Sequence, residues 1–175
     1  TALPISISMS TSAQTLEPEY IGQVVVVNAD STTTLLQKEA ANIKVKSTKF
    51  GRIPLPGTGL LDKSRSMLVV SGAKSPVTVK PGRLTLIIRA EKNTVDPKNV
   101  FGVFKFEVKK KERQYIIAES SFVGGTKSTM NMNTVPTVVK KYGTDSYLVV
   151  IENVLPGQYG ISSSDISSVA TFAVE

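Results

Sequence analysis

The sequence VLPGQY at residues 154–159 places a glycine two residues before a tyrosine, at the entry of an apolar strand. This pattern is typical of the tyrosine corner of Greek-key sandwiches, in which the tyrosine hydroxyl bonds to backbone a few residues upstream. Gly157 supplies the unusual backbone angle of the turn that Pro156 favours. We therefore predict a structural corner formed by Pro156, Gly157 and Tyr159, with the Tyr159 ring buried and its hydroxyl bonded to backbone.

Around this corner, short runs of alternating apolar and polar residues are separated by turn residues. Within residues 83–90, for example, Leu84, Leu86 and Ile88 point to one face of a strand, and the residues between them point to the other. The runs predicted to be strands are Tyr20–Val27, Asn42–Ser47, Met67–Ser71, Val77–Lys80, Arg83–Ala90, Gly102–Val108, Gln114–Glu119, Thr134–Lys140, Ser146–Ile151, Gln158–Ser162 and Val169–Val174.

The close spacing of these runs is typical of a sandwich or a barrel. We predict an all-β fold, an immunoglobulin-like Greek-key β-sandwich with little or no helix. Residues Thr33–Ala41 are compatible with two turns of helix and equally with the edge of a hairpin. Residues Thr48–Lys63 contain two prolines and three glycines, so we expect an ordered loop or a bulged edge strand there.

The N-terminal residues 1–13 are uncharged and moderately apolar, and they end in small residues before Gln14. This composition is typical of the last part of a secretory signal peptide, although an N-terminal strand or tail is the alternative. We interpret residues 1–13 as a signal-peptide remnant and residues 14–175 as a single β-sandwich domain. We accordingly expect export to the periplasm, the cell surface or the extracellular space. No apolar run reaches the roughly 18 residues of a transmembrane helix, so no transmembrane span is predicted.

Cysteine and histidine are both absent from the sequence. Their absence excludes disulfides, thiolate metal sites, a lipid-modified cysteine and every histidine-dependent catalytic triad. We therefore predict no catalytic residue, no metal site and no cofactor. The alternative is a glycan-active enzyme with two carboxylates facing each other across a cleft. It finds little support, because no carboxylate stands on an apolar strand where burial would raise its pKa.

The net charge of +7 is concentrated between residues 38 and 113, where eighteen Lys or Arg residues face six acids. Most of these bases are scattered one or two per predicted strand, which is typical of solvated strand faces. Few aromatic residues lie between them, so we do not expect a nucleic-acid partner.

One basic element is denser than the rest, a lysine triplet followed by an arginine. They are Lys109, Lys110, Lys111 and Arg113, and the strand before them is predicted to be anchored in the core by Phe104, Phe106 and Val108. We expect these four side chains to project into water at one end of the sandwich. They are interpreted either as a solvated turn or as a docking site for an acidic protein or a polyanionic glycan.

The chain also resembles a known group of proteins in three strings: EYIGQV at residues 19–24, FKFEVKKKER at residues 104–113 and LPGQYG at residues 155–160. Together these strings resemble uncharacterised exported proteins of the Bacteroidota. The resemblance covers most of residues 17–175, and it implies a signal peptide followed by an immunoglobulin-like β-sandwich. That family has no assigned activity, so the resemblance transfers no functional residue.

We therefore expect a non-catalytic binding or structural accessory module of the cell envelope or surface. The sequence does not identify the protein or glycan partner, nor the oligomeric state. Besides the glycan-active enzyme, the other alternative is a shell or decoration protein of a phage or filament, because one fold serves many functions.

Overall fold

A computed structural model describes residues 15–49, 62–122, 126–130, 134–163 and 165–175. These residues form thirteen β-strands and one 3₁₀ turn at Pro97–Asn99, and none of them lies in an α-helix. Within the described ranges no helix has the length and apolar character that crossing a bilayer requires. The strands are β1 (Val24–Val27), β2 (Thr33–Leu35), β3 (Lys38–Lys49), β4 (Asp62–Ser71), β5 (Thr78–Val79), β6 (Gly82–Arg89), β7 (Gly102–Lys109), β8 (Glu112–Phe122), β9 (Thr126–Met130), β10 (Val138–Tyr142), β11 (Ser146–Val154), β12 (Gly157–Ser162) and β13 (Ser168–Val174).

The strands belong to two sheets. The first sheet has five antiparallel strands in the order β10-β11-β6-β1-β2. The second sheet follows the order β12-β7-β8-β4-β3-β13-β5, with β9 added to β8. Because β12 also pairs with β13, six strands of the second sheet close into a ring.

The all-β prediction is confirmed, and each of the eleven predicted strand segments overlaps a strand. Ring closure distinguishes the second sheet from the open sheet that a simple sandwich would have. Residues Thr33–Ala41 form β2 and the beginning of β3, because both segments pair with neighbouring strands of the sheets. Residues 50–61 of the predicted loop and the interpreted signal-peptide remnant at residues 1–13 lie outside the described residues.

The main core lies between the two sheets. The first sheet contributes the alternating residues Leu84, Leu86 and Ile88 of β6, which the sequence pattern placed on one face. The second sheet contributes Tyr159 of β12 and Phe172 of β13, whose rings stack with their centroids 5.1 Å apart. Burial of these large side chains is the main favourable contribution to folding.

A second, smaller core fills the interior of the ring. It contains Phe104 and Phe106 of β7 together with Leu68 and Val70 of β4. A β-carbon on Gly160 of β12 would lie 2.6 Å from the Phe104 side chain. Only glycine therefore allows β12 to pack this closely against the Phe104 phenyl group.

The ring also encloses an ion pair between Arg113, which is fully buried, and Glu39, whose side chain is 23% exposed. The Arg113 side chain is 0% exposed, and its two terminal nitrogens donate to the Glu39 carboxylate at 2.8 and 2.7 Å. The guanidinium also donates to the carbonyl oxygens of Ser71 and Gly72 and to the hydroxyl of Ser75, and the Thr171 hydroxyl donates to Glu39. All of the charged groups are therefore paired, which is what burial of an arginine requires.

The tyrosine corner has the expected geometry. Tyr159 is buried, and its hydroxyl donates to the carbonyl oxygen of Leu155 at 2.7 Å. Gly157 has a φ of +154°, a backbone angle that side-chain-bearing residues rarely adopt. The carbonyl oxygen of Pro156 accepts a hydrogen bond from Lys105, which ties the corner to β7. The predicted positions of Pro156, Gly157 and Tyr159 at a turn into a strand are thus confirmed.

Replacing Tyr159 by phenylalanine should remove the hydroxyl bond and keep the ring packing. We expect Tyr159→Phe to lower the free energy of unfolding by about 0.5–1.5 kcal/mol, the usual net value of one hydrogen bond. Urea denaturation of the two proteins measures this difference. A variant as stable as the parent would mean that the corner bond contributes nothing to stability.

Removing one partner of the buried ion pair should cost more. We expect Glu39→Ala to lower the free energy of unfolding by about 3–5 kcal/mol, because the Arg113 charge would stay buried without its counterion. The double variant Glu39→Leu, Arg113→Met removes both charges and should recover most of the loss. If the single and the double variant are equally destabilised in urea denaturation, the uncompensated charge is not the cause.

Candidate binding cavity

Three connecting segments meet at one end of the space between the sheets. They are residues 20–23 before β1, residues 90–101 between β6 and β7, and, of the connection between β12 and β13, the described residues 163 and 165–167. Because β1 and β6 are antiparallel, the start of β1 lies beside the end of β6. The β12–β13 hairpin brings the third segment to the same end from the other sheet.

The three segments surround a cavity of about 510 Å³. This volume lies within the range of about 300–1,000 Å³ that small-molecule sites usually have. The inner walls consist of buried apolar residues from both sheets, whereas the rim carries polar and charged residues. The buried apolar lining residues are Val24, Ile88, Ala90, Phe101, Ile161 and Ala170.

The wall between β6 and β7 is held in place by hydrogen bonds. The Tyr147 hydroxyl donates to the carbonyl oxygen of Val95 at 2.6 Å, and the Asn93 side chain donates to the carbonyl oxygen of Ser146 at 3.2 Å. The Asp96 carboxylate accepts a bond from the amide of Lys98 and caps the 3₁₀ turn. These bonds preorganise the wall, which lowers the entropy cost of binding.

The segment that precedes β1 is fixed by Glu17. Its carboxylate accepts bonds from the backbone amides of Thr144 and Asp145, at 3.1 and 3.2 Å, and lies 3.0 Å from a guanidinium nitrogen of Arg89. Burial raises the pKa of this carboxyl group, but the neighbouring Ser146 side chain, the two amides and the Arg89 charge favour the ionised form, so the pKa is lowered overall. The anchor is close to the cavity, because the amide of Gly22 donates to the carbonyl oxygen of Arg89 and both residues line it.

The cavity rim carries charges of both signs. Lys38, Arg89 and Lys92 are the cations, and Glu91 and Asp165 are the anions. The hydroxyl and the backbone amide of Ser167 donate to Asp165, and these bonds are the main reason that the pKa of Asp165 is lowered.

Lys38 lies at the wall itself, because its Nζ is 2.8 Å from the point that a β-carbon on Gly22 would occupy. No described residue accepts a hydrogen bond from this ammonium group or forms an ion pair with it within 4.0 Å. The ammonium group of Lys92 likewise has no hydrogen-bond or ion-pair partner among the described residues. Lys38 differs from it because its ammonium group lies against Gly22, a residue of the wall.

The lysine turn predicted from the sequence lies at the opposite end of β7 from the cavity. Lys109, Lys110 and Lys111 are exposed, and Lys110 and Lys111 form the two-residue turn between β7 and β8, with Lys110 at a φ of +57°. The Lys109 ammonium lies 3.3 Å from the Glu107 carboxylate. A docking role for these three lysines stays a prediction.

The expectation that Arg113 projects into water is wrong. The alternation along β8 turns Arg113 toward the ring interior, on the same face as Tyr115 and Ile117 of the second core. There Arg113 pairs with Glu39. Val108, which was expected in the core, is 46% exposed because it lies at the end of β7 beside the turn.

Sequence patterns did not indicate the cavity, because its walls come from segments that are distant along the chain. The buried wall residues look like ordinary strand residues of a core. The available signal was the presence of large apolar residues in turn-rich segments, such as Ile21, Val95 and Ile166.

Among the described residues, no group of three or more Asp or Glu side chains is placed to hold a metal ion. Comparison of the chain with models of protein families, with curated proteins and with solved structures found no match. The similarity to exported proteins of the Bacteroidota therefore stays a prediction.

The lowered pKa of Glu17 predicts a pH-dependent contribution to stability. Since the folded protein holds this carboxylate at a lower pKa than the unfolded chain, the contribution is present above the ordinary value of 4.5 and is lost as the pH falls through the folded pKa. We expect Glu17→Gln to lower the free energy of unfolding by about 1–2 kcal/mol at pH 7, and by clearly less at pH 3.

Chemical denaturation of both proteins at the two pH values tests this expectation. Glu19→Gln is the matched control, because Glu19 is exposed two residues away. A destabilisation by Glu17→Gln that is equal at pH 7 and pH 3 would show that the charge of Glu17 is not responsible.

Proposed function

We propose that the protein is a non-catalytic binding module that takes a small apolar group into the cavity between its two sheets. The observation that carries this proposal is the combination of buried apolar walls, a volume of about 510 Å³ and a polar rim at one end of the fold. Sites for small molecules usually combine these three properties.

Exposed apolar residues on the same segments support a binding role. Four of the ten large hydrophobic side chains that are exposed in the described part of the chain lie on the segments at this end of the fold, and two of the four, Ile21 and Val95, line the cavity. They are Tyr20 and Ile21 before β1, Val95 between β6 and β7, and Ile166 between β12 and β13, with exposed fractions from 49% to 65%. Clustering of such residues on a surface marks interaction sites more often than scattered single residues do.

The hydrogen bonds of Asp165 argue against this residue as the acid of a catalytic pair. A glycan-hydrolysing pair would need one carboxylic acid with a raised pKa to protonate the leaving group. Two carboxylates line the cavity, Glu91 and Asp165, and the bonds from Ser167 lower the pKa of Asp165. This carboxylate is therefore poorly suited to donate a proton near neutral pH.

Export and an immunoglobulin-like relationship are part of the same proposal. The leader-like composition of residues 1–13, the two packed sheets and the tyrosine corner at Tyr159 support them. An exported module of this kind would present the cavity to ligands outside the cytoplasm.

Filling the cavity should abolish binding of an apolar probe. We expect the neutral fluorescent probe N-phenyl-1-naphthylamine to bind in a 1:1 ratio and Ala170→Leu to weaken this binding at least tenfold, because the larger side chain occupies the space. Ala90→Leu, on another wall, should act in the same way. Fluorescence titration measures the affinities, and thermal melts verify that the variants are folded.

Ala73→Leu is the control for both variants, because Ala73 is exposed and does not line the cavity. Equal probe binding by the parent, both cavity variants and the control would contradict a binding role of this cavity.

A further inference from the structure

The chemistry of the inner walls restricts the ligand. All six buried lining residues are apolar, and Phe101 is the one aromatic residue among them. A sugar ring placed against these six side chains would bring hydroxyl groups to a surface without a side-chain hydrogen-bonding partner, and burial of an unpaired hydroxyl costs free energy. The lining side chains that could bond a hydroxyl, such as those of Ser162 and Ser168, belong to less buried residues. An aliphatic chain has no such cost, and its burial is favourable by about 0.8 kcal/mol per CH₂ group.

The rim adds a preference for a negative head group. The Arg89 guanidinium is already paired with Glu17 and Asp145, at 3.0 and 3.8 Å. The Asp165 carboxylate is bonded by Ser167. The ammonium groups of Lys38 and Lys92 have no hydrogen-bond or ion-pair partner among the described residues. Of these two, Lys38 has its ammonium group against the wall at Gly22, and it is near enough to Asp165 to lower that residue's pKa. A ligand carboxylate is the group that would complete the bonding of Lys38, through a charge-assisted hydrogen bond.

We propose that the cavity binds an aliphatic carboxylate, with the hydrocarbon chain against the walls formed by Ile88, Ile161 and Ala170 and the carboxylate at Lys38. This inference rests on the proposed binding function and specifies its ligand. The exposed apolar side chains of Ile21 and Val95 at the rim would cover the part of the chain that is nearest to the opening.

Isothermal titration with decanoate, below its micelle-forming concentration, tests the proposal. We expect decanoate to bind at least tenfold more tightly than decyltrimethylammonium, which has the same chain and the opposite charge. Octanoate should bind about fifteenfold more weakly than decanoate, because two CH₂ groups at about 0.8 kcal/mol each are lost. Equal affinity for the anionic and the cationic amphiphile would overturn the proposal.

Substitution of Lys38 tests the position of the head group. Lys38→Met keeps most of the aliphatic stem, and we expect it to weaken decanoate binding at least tenfold while leaving decyltrimethylammonium binding no weaker. Lys140→Met is the control, because Lys140 is exposed on β10 and does not line the cavity. A loss of the same size for both amphiphiles would show that Lys38 does not recognise a carboxylate.

Two further measurements distinguish an error in the ligand class from an error in the proposed binding function. Binding of N-phenyl-1-naphthylamine without any preference for decanoate would overturn the ligand class and leave the binding function intact, whereas loss of both would overturn both. Vesicles of phosphatidylglycerol present aliphatic chains and negative charge as a surface. Binding to these vesicles without binding to monomeric decanoate would assign the site to a membrane surface, and it would overturn the proposal of a free aliphatic carboxylate.

Discussion

The pairing of β12 with two neighbours is the constraint on which the rest of the structure depends. It joins β7 on one side and β13 on the other, and this second contact closes the ring. Closure gives β12 two buried faces: Tyr159 packs into the core between the sheets, and Gly160 packs against Phe104 inside the ring. A strand with two buried faces tolerates few substitutions, because every side chain has to fit a closed volume.

The buried ion pair is a consequence of the same closure. The interior of the ring is closed by its six strands, so a charged residue whose alternation places it inward loses most of its contact with water, completely for Arg113 and in large part for Glu39. Arg113 is in this position, and Glu39 on β3 is its counterion across the ring. Such pairs add little net stability, because desolvation offsets their attraction. We infer that this pair contributes to the register of β3 and β8, since a shift of one residue would turn either charge to the other face.

The cavity and the lysine turn lie at the two ends of β7 and have different physical character. The cavity combines apolar walls with a defined cation, whereas the turn is a charged, solvated hairpin with Lys109 beside Glu107. The exposed charges of the lysine turn contribute mainly to solubility and to long-range attraction, and salt screens both effects. A walled cavity can select a ligand by shape as well as by charge.

The strands could be predicted from periodicity along the chain, because successive side chains of a strand point to opposite faces and apolar residues therefore alternate locally. The corner at Gly157 and Tyr159 was equally predictable, since its hydroxyl bond spans only four residues. Ring closure, the inward position of Arg113 and the cavity were decided by tertiary structure alone. Each depends on contacts between distant segments, such as Arg113 with Glu39 and Lys38 with Gly22, and no local pattern encodes which strands become neighbours.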